Sequence, residues 1–280
     1  MGTDEANLSE TLRGRPFVKM TGSGNDFVFF DSRGEGMPPF MPAATIERLC
    51  ARGTGVGADG VVFLVPERGY AFRMVYLNAD GSRAAMCGNA ALCSTRLALE
   101  GGQGGEITFL TDSGPVAARL RDGQPEIDLS PIEVVRAGDV LPVREGELRI
   151  GFTVAGVPHV TVLCDDVEKI DVVRRGREIR LAEELRPEGA NANFVSKKGK
   201  HPWRIRTYER GVESETLACG TGAVASALLL QEWGKASSPV TLQTRAGLPL
   251  TVRFRQDGSR WLPSLSGEGR IVFRGELAEL

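Results

Sequence analysis

Two cysteines of the 280-residue chain share one setting. Cys87 opens CGNAALCSTRLAL and Cys219 opens CGTGAVASALLL, so each is followed by glycine, by Asn89 or Thr221, and by a run of helix formers. Asn89 and Thr221 read as N-caps, which places each cysteine beside a helix start. Such a start presents unpaired N–H groups and the positive end of the helix dipole, and so holds a carboxylate and lowers the pKa of a neighbouring thiol. Gly88 and Gly220 let backbone approach a ligand closely. Inverting a carbon stereocentre needs a base on one face and an acid on the other, and a thiolate with a thiol supplies both. Two helix starts would hold the carboxylate while negative charge develops. A lone cysteine is ordinarily a small buried hydrophobe. That reading is kept for Cys50, Cys93 and Cys164, which lack the shared setting.

The elements that must position the pair are themselves repeated. Position n matches position n+132: Gly24 falls on Gly156, Gly57-Ala58-Asp59 on Gly189-Ala190-Asn191, Tyr76 on Tyr208, Ser82 on Ser214, and Cys87-Gly88 on Cys219-Gly220. Ala91, Ser94 and Leu97 then fall on Ala223, Ser226 and Leu229, and Thr108 to Gly114 match Thr241 to Gly247 after one inserted residue. Each copy carries apolar or alternating strand patterns, FVFFD, GVVFLV and FRMVYL in the first and HVTVLCD, NFVS and WRIRTYE in the second. Each also has one helical stretch that is apolar nearly all round, Asn89 to Glu100 and Thr221 to Trp233, as suits a helix wrapped by sheet. The expected class is α+β: two pseudo-symmetric duplicated domains, each a mixed or antiparallel sheet around a central helix, with the active site in the cleft between them. The expected boundaries are a disordered tail over 1–14, an N-terminal half over 15–131 and a C-terminal half over 132–268. Residues 269–280 are expected to return to the first half as a strand.

Composition narrows the partners. Thirty-four basic residues balance 36 acidic ones with no basic block, which argues for a small-molecule partner and against nucleic acid. No apolar run approaches the roughly 18 to 20 residues of a membrane span. Five cysteines without a secretion signal suit reduced thiols in a cytoplasm. Two histidines and no C-x-x-C give no metal site. GTGVGA (Gly53 to Ala58) precedes a strand where a dinucleotide fingerprint would open a helix, so it reads as a turn. None of the six lysines has the setting of a pyridoxal Schiff base, so no cofactor is expected. A rival class is a cysteine hydrolase using Cys87 or Cys219 with His159, which leaves the other cysteine without a role.

From Phe17 onward the chain resembles the diaminopimelate epimerase family, through KMTGSGNDFVFFD, GTGVGADGVV, NADGSRAAMCGN, GANANFV, TYERGVESET and ACGTGA. The resemblance implies pyridoxal-independent interconversion of LL- and meso-diaminopimelate, for lysine and cell-wall synthesis, by a cytoplasmic homodimer. By the same resemblance Cys87 and Cys219 are the acid/base thiols, and Gly88, Asn89, Gly220 and Thr221 contact the reacting carboxylate. Asn25, Asn78, Asn191, Glu209 and Arg210 then bind substrate, the last two suiting a distal zwitterion. Three positions depart from the family: Ala90 stands for a glycine, Leu92 for an arginine and Val157 for a substrate-binding asparagine. A ligand group left unpaired by Val157 would cost about 1 to 3 kcal/mol. A racemase of histidine or a proline derivative, and an inactive ligand-binding relative, are the alternatives those departures keep open.

Overall fold

The structure, a computed structural model, describes residues 12–34, 42–100, 105–138 and 140–278. It divides into two compact units, Met1–Ile127 with Glu268–Leu280, and Asp128–Gly267.

The first unit runs β1 (Pro16–Gly22), β2 (Asn25–Asp31), α1 (Ala43–Cys50), β3 (Gly60–Val65), β4 (Arg73–Asn78), β5 (Arg83–Ala84), α2 (Gly88–Ala98), β6 (Glu106–Thr111), β7 (Gly114–Arg121) and β8 (Gln124–Asp128). β1 and β2 form an antiparallel hairpin, β2 and β3 pair parallel, and β3, β4 and β5 continue antiparallel. All six residues of β3 are buried, because both faces of this sheet are covered and an unbroken apolar run fits only there. On one face Val61, Phe63, Val75 and Leu77 pack with Ile46 and Leu49 of α1. On the other, α2 lies against β1, β4 and β7. Its Ser94 and Thr95 bury their hydroxyls by donating to the carbonyls of Ala90 and Ala91, each at 2.8 Å.

The second unit repeats the order: β9 (Val135–Arg136), β10 (Glu147–Ala155), β11 (Val157–Cys164), α3 (Val172–Arg180), β12 (Asn191–Ser196), β13 (Trp203–Glu209), β14 (Ser214–Thr216), α4 (Gly220–Glu232), β15 (Val240–Gln243), β16 (Pro249–Asp257) and β17 (Arg260–Ser266). Again a hairpin, β10–β11, leads into a parallel pair, β11–β12, and an antiparallel one, β12–β13. Val172 and Ile179 of α3 cover one face with Val160, Val162, Ala192, Phe194 and Tyr208. α4 packs on β10, β11, β12, β16 and β17, with every residue from Gly222 to Leu230 buried. The duplicated α+β architecture expected from the repeat is therefore the architecture found. A final strand, β18 (Arg270–Glu276), pairs antiparallel with β1 of the first unit. Of the expected tail, residues 1–11 lie outside the described ones. Leu12 does not belong to a disordered tail: it is fully buried in the α1-side core, and Gly14 N–H donates to Leu277 O at 2.7 Å, because an apolar side chain at this point has a seat to fill.

The register of the repeat differs from its letters in one stretch. Phe27 faces Gly60 across β2–β3, and His159 faces Asn191 across β11–β12, so Gly60 corresponds to Asn191 and not to Ala192. Carried through the next pair, Tyr76 corresponds to Thr207, Leu77 to Tyr208 and Asn78 to Glu209. The lost residue is regained in the following turn, where Leu77 pairs with Arg83 and Tyr208 with Glu215, and the cysteines return to the 132-residue offset. A one-residue slip moves a side chain to the opposite face of a strand. Tyr76 therefore lies on the α2 face, edge-on to Phe27, whereas Tyr208 lies on the α3 face. A Cβ at Gly176 of α3 would stand 2.3 Å from Tyr208 Cβ. Gly176→Ala is expected to destabilise the protein by about 1 to 3 kcal/mol through this overpacking, measured as a lower urea midpoint at unchanged m-value.

Candidate active site

Both cysteines take the N-cap position itself. Cys87 has φ −135° and ψ 116° ahead of α2, and Cys219 has φ −132° and ψ 111° ahead of α4. Each cysteine carbonyl accepts the first helical bond, from Ala91 N–H at 2.9 Å and from Ala223 N–H at 3.0 Å. Asn89 and Thr221 are thus not caps but second residues of their helices. Neither helix is capped by a serine, threonine, asparagine or aspartate side chain. The N–H groups of Gly88 and Asn89, and of Gly220 and Thr221, belong to the first turn and have no intrahelical acceptor. Each unit consequently presents a thiol with a set of amide donors beside it.

In the first unit the thiol's neighbour is a phenol. Tyr76 hydrogen-bonds Cys87, and burial foremost, with the sulfur's proximity, pushes the Tyr76 pKa above its ordinary value. Asn25 and Asn89 are joined, Asn89 Nδ2 donating to Asn25 Oδ1 at 2.7 Å, and Asn25 Nδ2 donates in turn to Asp59 Oδ2 at 3.0 Å. Asn78 ends β4, where its amide donates to Ser82 Oγ at 2.9 Å and its N–H to Ser82 O, closing the turn toward β5.

In the second unit the thiol's neighbour is a carboxylate. Cys219 hydrogen-bonds Glu209, and burial raises the Glu209 pKa above the usual carboxylate range against the pull of that bond. Burial and then the Glu209 charge raise the Cys219 pKa, against hydrogen bonds from the Thr221 hydroxyl and the Gly222 N–H. These surroundings favour the protonated thiol of Cys219 over its thiolate. Asn191, 4% exposed, accepts Arg210 N–H on its Oδ1 at 2.7 Å, and the Arg210 guanidinium donates to Glu188 O at 3.1 Å. Asn191, Glu209, Arg210, Cys219 and Thr221 are thereby gathered on neighbouring strand ends and one helix start.

The surfaces beneath the two helices differ. Under α2 lie Phe27, Phe29 and Tyr76, with Phe27 edge-on to both others. The corresponding side chains under α4 are polar: His159 Nδ1 meets Asn193 Nδ2 at 3.2 Å, Thr207 donates to Asn193 Oδ1 at 3.0 Å, and Thr161 meets Ser226 at 3.3 Å. Full burial foremost, with the Arg210 charge, lowers the His159 pKa to about 3. His159 Nδ1 is engaged with Asn193, and the partners of Cys219 are Glu209, Thr221 and Gly222, so Cys219 and His159 do not form the hydrogen-bonded pair that a Cys–His hydrolase uses.

The departures from the family pattern also find places. Ala90 and Leu92 are fully buried in α2. Val157 opens its strand two residues before His159 as Asn25 opens its strand two residues before the matching Phe27, so the two hold the same position in the repeat. Where Asn25 has Asp59 to bond, the matching residue in the second unit is Ala190, so Val157 leaves no protein carboxylate unpaired there. Sequence reasoning missed Tyr76, Asp59 and Asn193. Tyr76 and Asp59 both lay within quoted repeats, but their partners depend on strand register. Among the described residues no group of three or more His, Cys, Asp or Glu side chains is placed to hold a metal, and no helix is long and apolar enough to cross a membrane.

The family model for diaminopimelate epimerase matches residues 17–136 and again 152–272, once per unit. A diaminopimelate epimerase of Gemmatimonas aurantiaca is 44% identical over 276 residues, covering 94% of this chain and 99% of the relative. One of Aquifex aeolicus is 39% identical, covering 94% and 98%. Among solved structures, a phenazine biosynthesis protein of the PhzF family from Bacillus anthracis aligns with a TM-score of 0.69 at 14% identity, covering 94% of this chain and 98% of that one. A hydroxyproline epimerase from Agrobacterium vitis aligns at 0.62 and 17%, covering 94% and 92%. These two likenesses concern the fold.

Neutral burial of His159 carries a pH signature. An unfolded histidine protonates near pH 6.5, whereas this one stays neutral down to about pH 3, so the unfolded state binds the extra proton between those values and stability falls as pH falls through that window. His159→Phe, which copies the matching Phe27, is expected to flatten the slope of unfolding free energy between pH 7 and pH 4.5; an unchanged slope refutes this assignment. Tyr76→Phe is expected to leave the fold intact and slow α-proton exchange by about tenfold, about the worth of one hydrogen bond to a charged partner.

Proposed function

The chain belongs to the diaminopimelate epimerase family, and on that premise we propose that it interconverts LL- and meso-2,6-diaminopimelate with Cys87 and Cys219 as the acid/base pair. The observation that carries the reading is the pair of helices, each capped by a cysteine at nearly the same backbone angles. In one direction a thiolate takes the α-proton from the reacting carbon, and the electron pair left behind delocalises into the carboxylate. First-turn amides of Gly88, Asn89, Gly220 and Thr221 are the donors suited to that charge. The second thiol gives its proton to the opposite face and becomes the thiolate, so the reverse reaction starts with the roles exchanged. No oxidant or electron sink enters this balance.

Glu209 suits a dual part in this scheme. Its hydrogen bond from Cys219 keeps that sulfur protonated at rest, and its raised pKa makes it a group able to take the proton when Cys219 must act as base. Arg210 and Asn191, joined through backbone, are suited to the distal amino-acid end, with Asn78 of the other repeat, whereas Asn25, bonded to Asn89, belongs with the reacting end. Cytoplasmic function suits a mechanism that needs both sulfurs reduced. For a homodimer the surface we put forward is β18, where Val272 and Phe273 stand 48% and 46% exposed. A second reading, racemisation of histidine or a proline derivative, is favoured only by Val157.

Incubation with LL-diaminopimelate in D2O, without added cofactor, is expected to yield the meso isomer with one solvent deuterium at an α-carbon. Exchange with proline or histidine and none with diaminopimelate would move the substrate to the second reading. Cys87→Ser and Cys219→Ser are each expected to lower kcat by at least about a hundredfold, in keeping with the loss of a general acid or base; full activity in either variant sinks the two-thiol mechanism.

A further inference from the structure

The hydrogen bonds behind α2 have a direction. Asp59 Oδ2 accepts from Asn25 Nδ2 at 3.0 Å and from the Asp26 N–H at 3.1 Å, and its Oδ1 accepts from the Arg52 guanidinium at 2.8 Å. An ionised carboxylate only accepts, so it admits the NH2 side of Asn25 and refuses its oxygen. With that choice made, Asn25 Oδ1 faces Asn89 and accepts from its Nδ2 at 2.7 Å. The polarity is handed on: Asn89 spends its NH2 on Asn25 and keeps Oδ1 toward the remaining direction. That oxygen is buried and has no partner among the described residues, in a side chain only 4% exposed on the second residue of α2. An orphaned buried acceptor is costly unless something completes it. Beside it, the first-turn N–H groups suit a carboxylate. A buried acceptor next to a carboxylate site matches the other charged group on the same carbon of an amino acid, its ammonium.

We propose that Asp59 is a positioning residue for the epimerisation, fixing through Asn25 the carboxamide of Asn89 so that its oxygen receives the α-ammonium of the reacting centre. The inference rests on the function proposed above and adds to it the group that binds the ammonium and the residue that orients it. Holding the ammonium charged keeps the neighbouring C–H acidic, which a carbon acid reacting without a cofactor requires. In the second unit the same three positions are Val157, Ala190 and Thr221, so the relay belongs to one half only.

The polarity makes the test a reversal. In D59A the acceptor that selects the NH2 side of Asn25 is gone, the relay loses its direction, and KM is expected to rise about tenfold or more with a smaller change in kcat. In N89D two carboxylates flank the single carboxamide of Asn25, one of them must meet its oxygen, and activity also falls. In the double variant D59A/N89D Asn25 is free to turn its NH2 to the carboxylate at 89, leaving a carboxylate oxygen for the ammonium. The double variant is expected to exceed each single one in kcat/KM by about tenfold, with thermal midpoints measured alongside. Independent, multiplying losses overturn the relay, as does wild-type KM in D59A. Should D59A fail to fold, N89D decides by itself, and wild-type KM in that variant overturns the relay. If the wild-type chain exchanges the α-proton of another amino acid but not of diaminopimelate, the proposed substrate fails while the cycle, run on that amino acid, still decides the relay.

Discussion

The first turn of an α-helix leaves its N–H groups without intrahelical acceptors, and in both units the residue that caps that turn, just past a short strand, is a cysteine. Much else in each unit serves to hold this junction. The helix behind the cysteine is buried over most of its length, so it is held in the sheet and the direction in which its start points is fixed. No serine, threonine or aspartate side chain satisfies the first-turn donors, although such a cap is worth about 1 kcal/mol. The fold forgoes that stabilisation, and the donors stay available beside the sulfur.

Duplication supplied two such junctions, and divergence then set their surroundings apart. The first thiol has a phenol beside it, over an aromatic layer; the second has a carboxylate beside it, over a layer of His159, Asn193, Thr207 and Thr161. Neighbours of different acidity suit sulfurs that must occupy different protonation states at one time. Buried polar layers are tolerated when their members bond one another, and the α4 layer is largely so arranged, with Asn193 using its oxygen for Thr207 and its nitrogen for Val160 O and His159. The relay Asp59–Asn25–Asn89 is the complementary device in the first unit, and there the final acceptor is left open.

The residues that depart from the family pattern gain a physical meaning from the same comparison. Leu92 and Ala90 are core residues of α2, answering to packing. Val157 is the repeat partner of Asn25, and its neighbourhood holds Ala190 where the first unit holds Asp59. An asparagine there would lack the carboxylate that orients Asn25, so the apolar residue is consistent with its local setting.

Much of this was legible in the sequence, for reasons that are local. A cysteine, a glycine and an apolar helical run report a helix start by themselves, and their recurrence at a fixed spacing reports the duplication, since side-chain period and capping depend on a few neighbouring residues. The family's other site residues could likewise be numbered from their motifs. What the letters misplaced was the middle of the repeat, where Tyr76 aligns with Tyr208 although the two lie on opposite faces of their strands. Register is a property of strand pairs distant in the chain, and a one-residue shift compensated in the next turn leaves almost no trace in sequence. The caps that the sequence places at Asn89 and Thr221 lie two residues earlier, because Cys87 and Cys219 are the last residues with extended backbone angles. Only the tertiary structure decided which atom each thiol meets, that Tyr76 serves Cys87 and Glu209 serves Cys219, because those partners come from strands whose order and pairing no local pattern encodes.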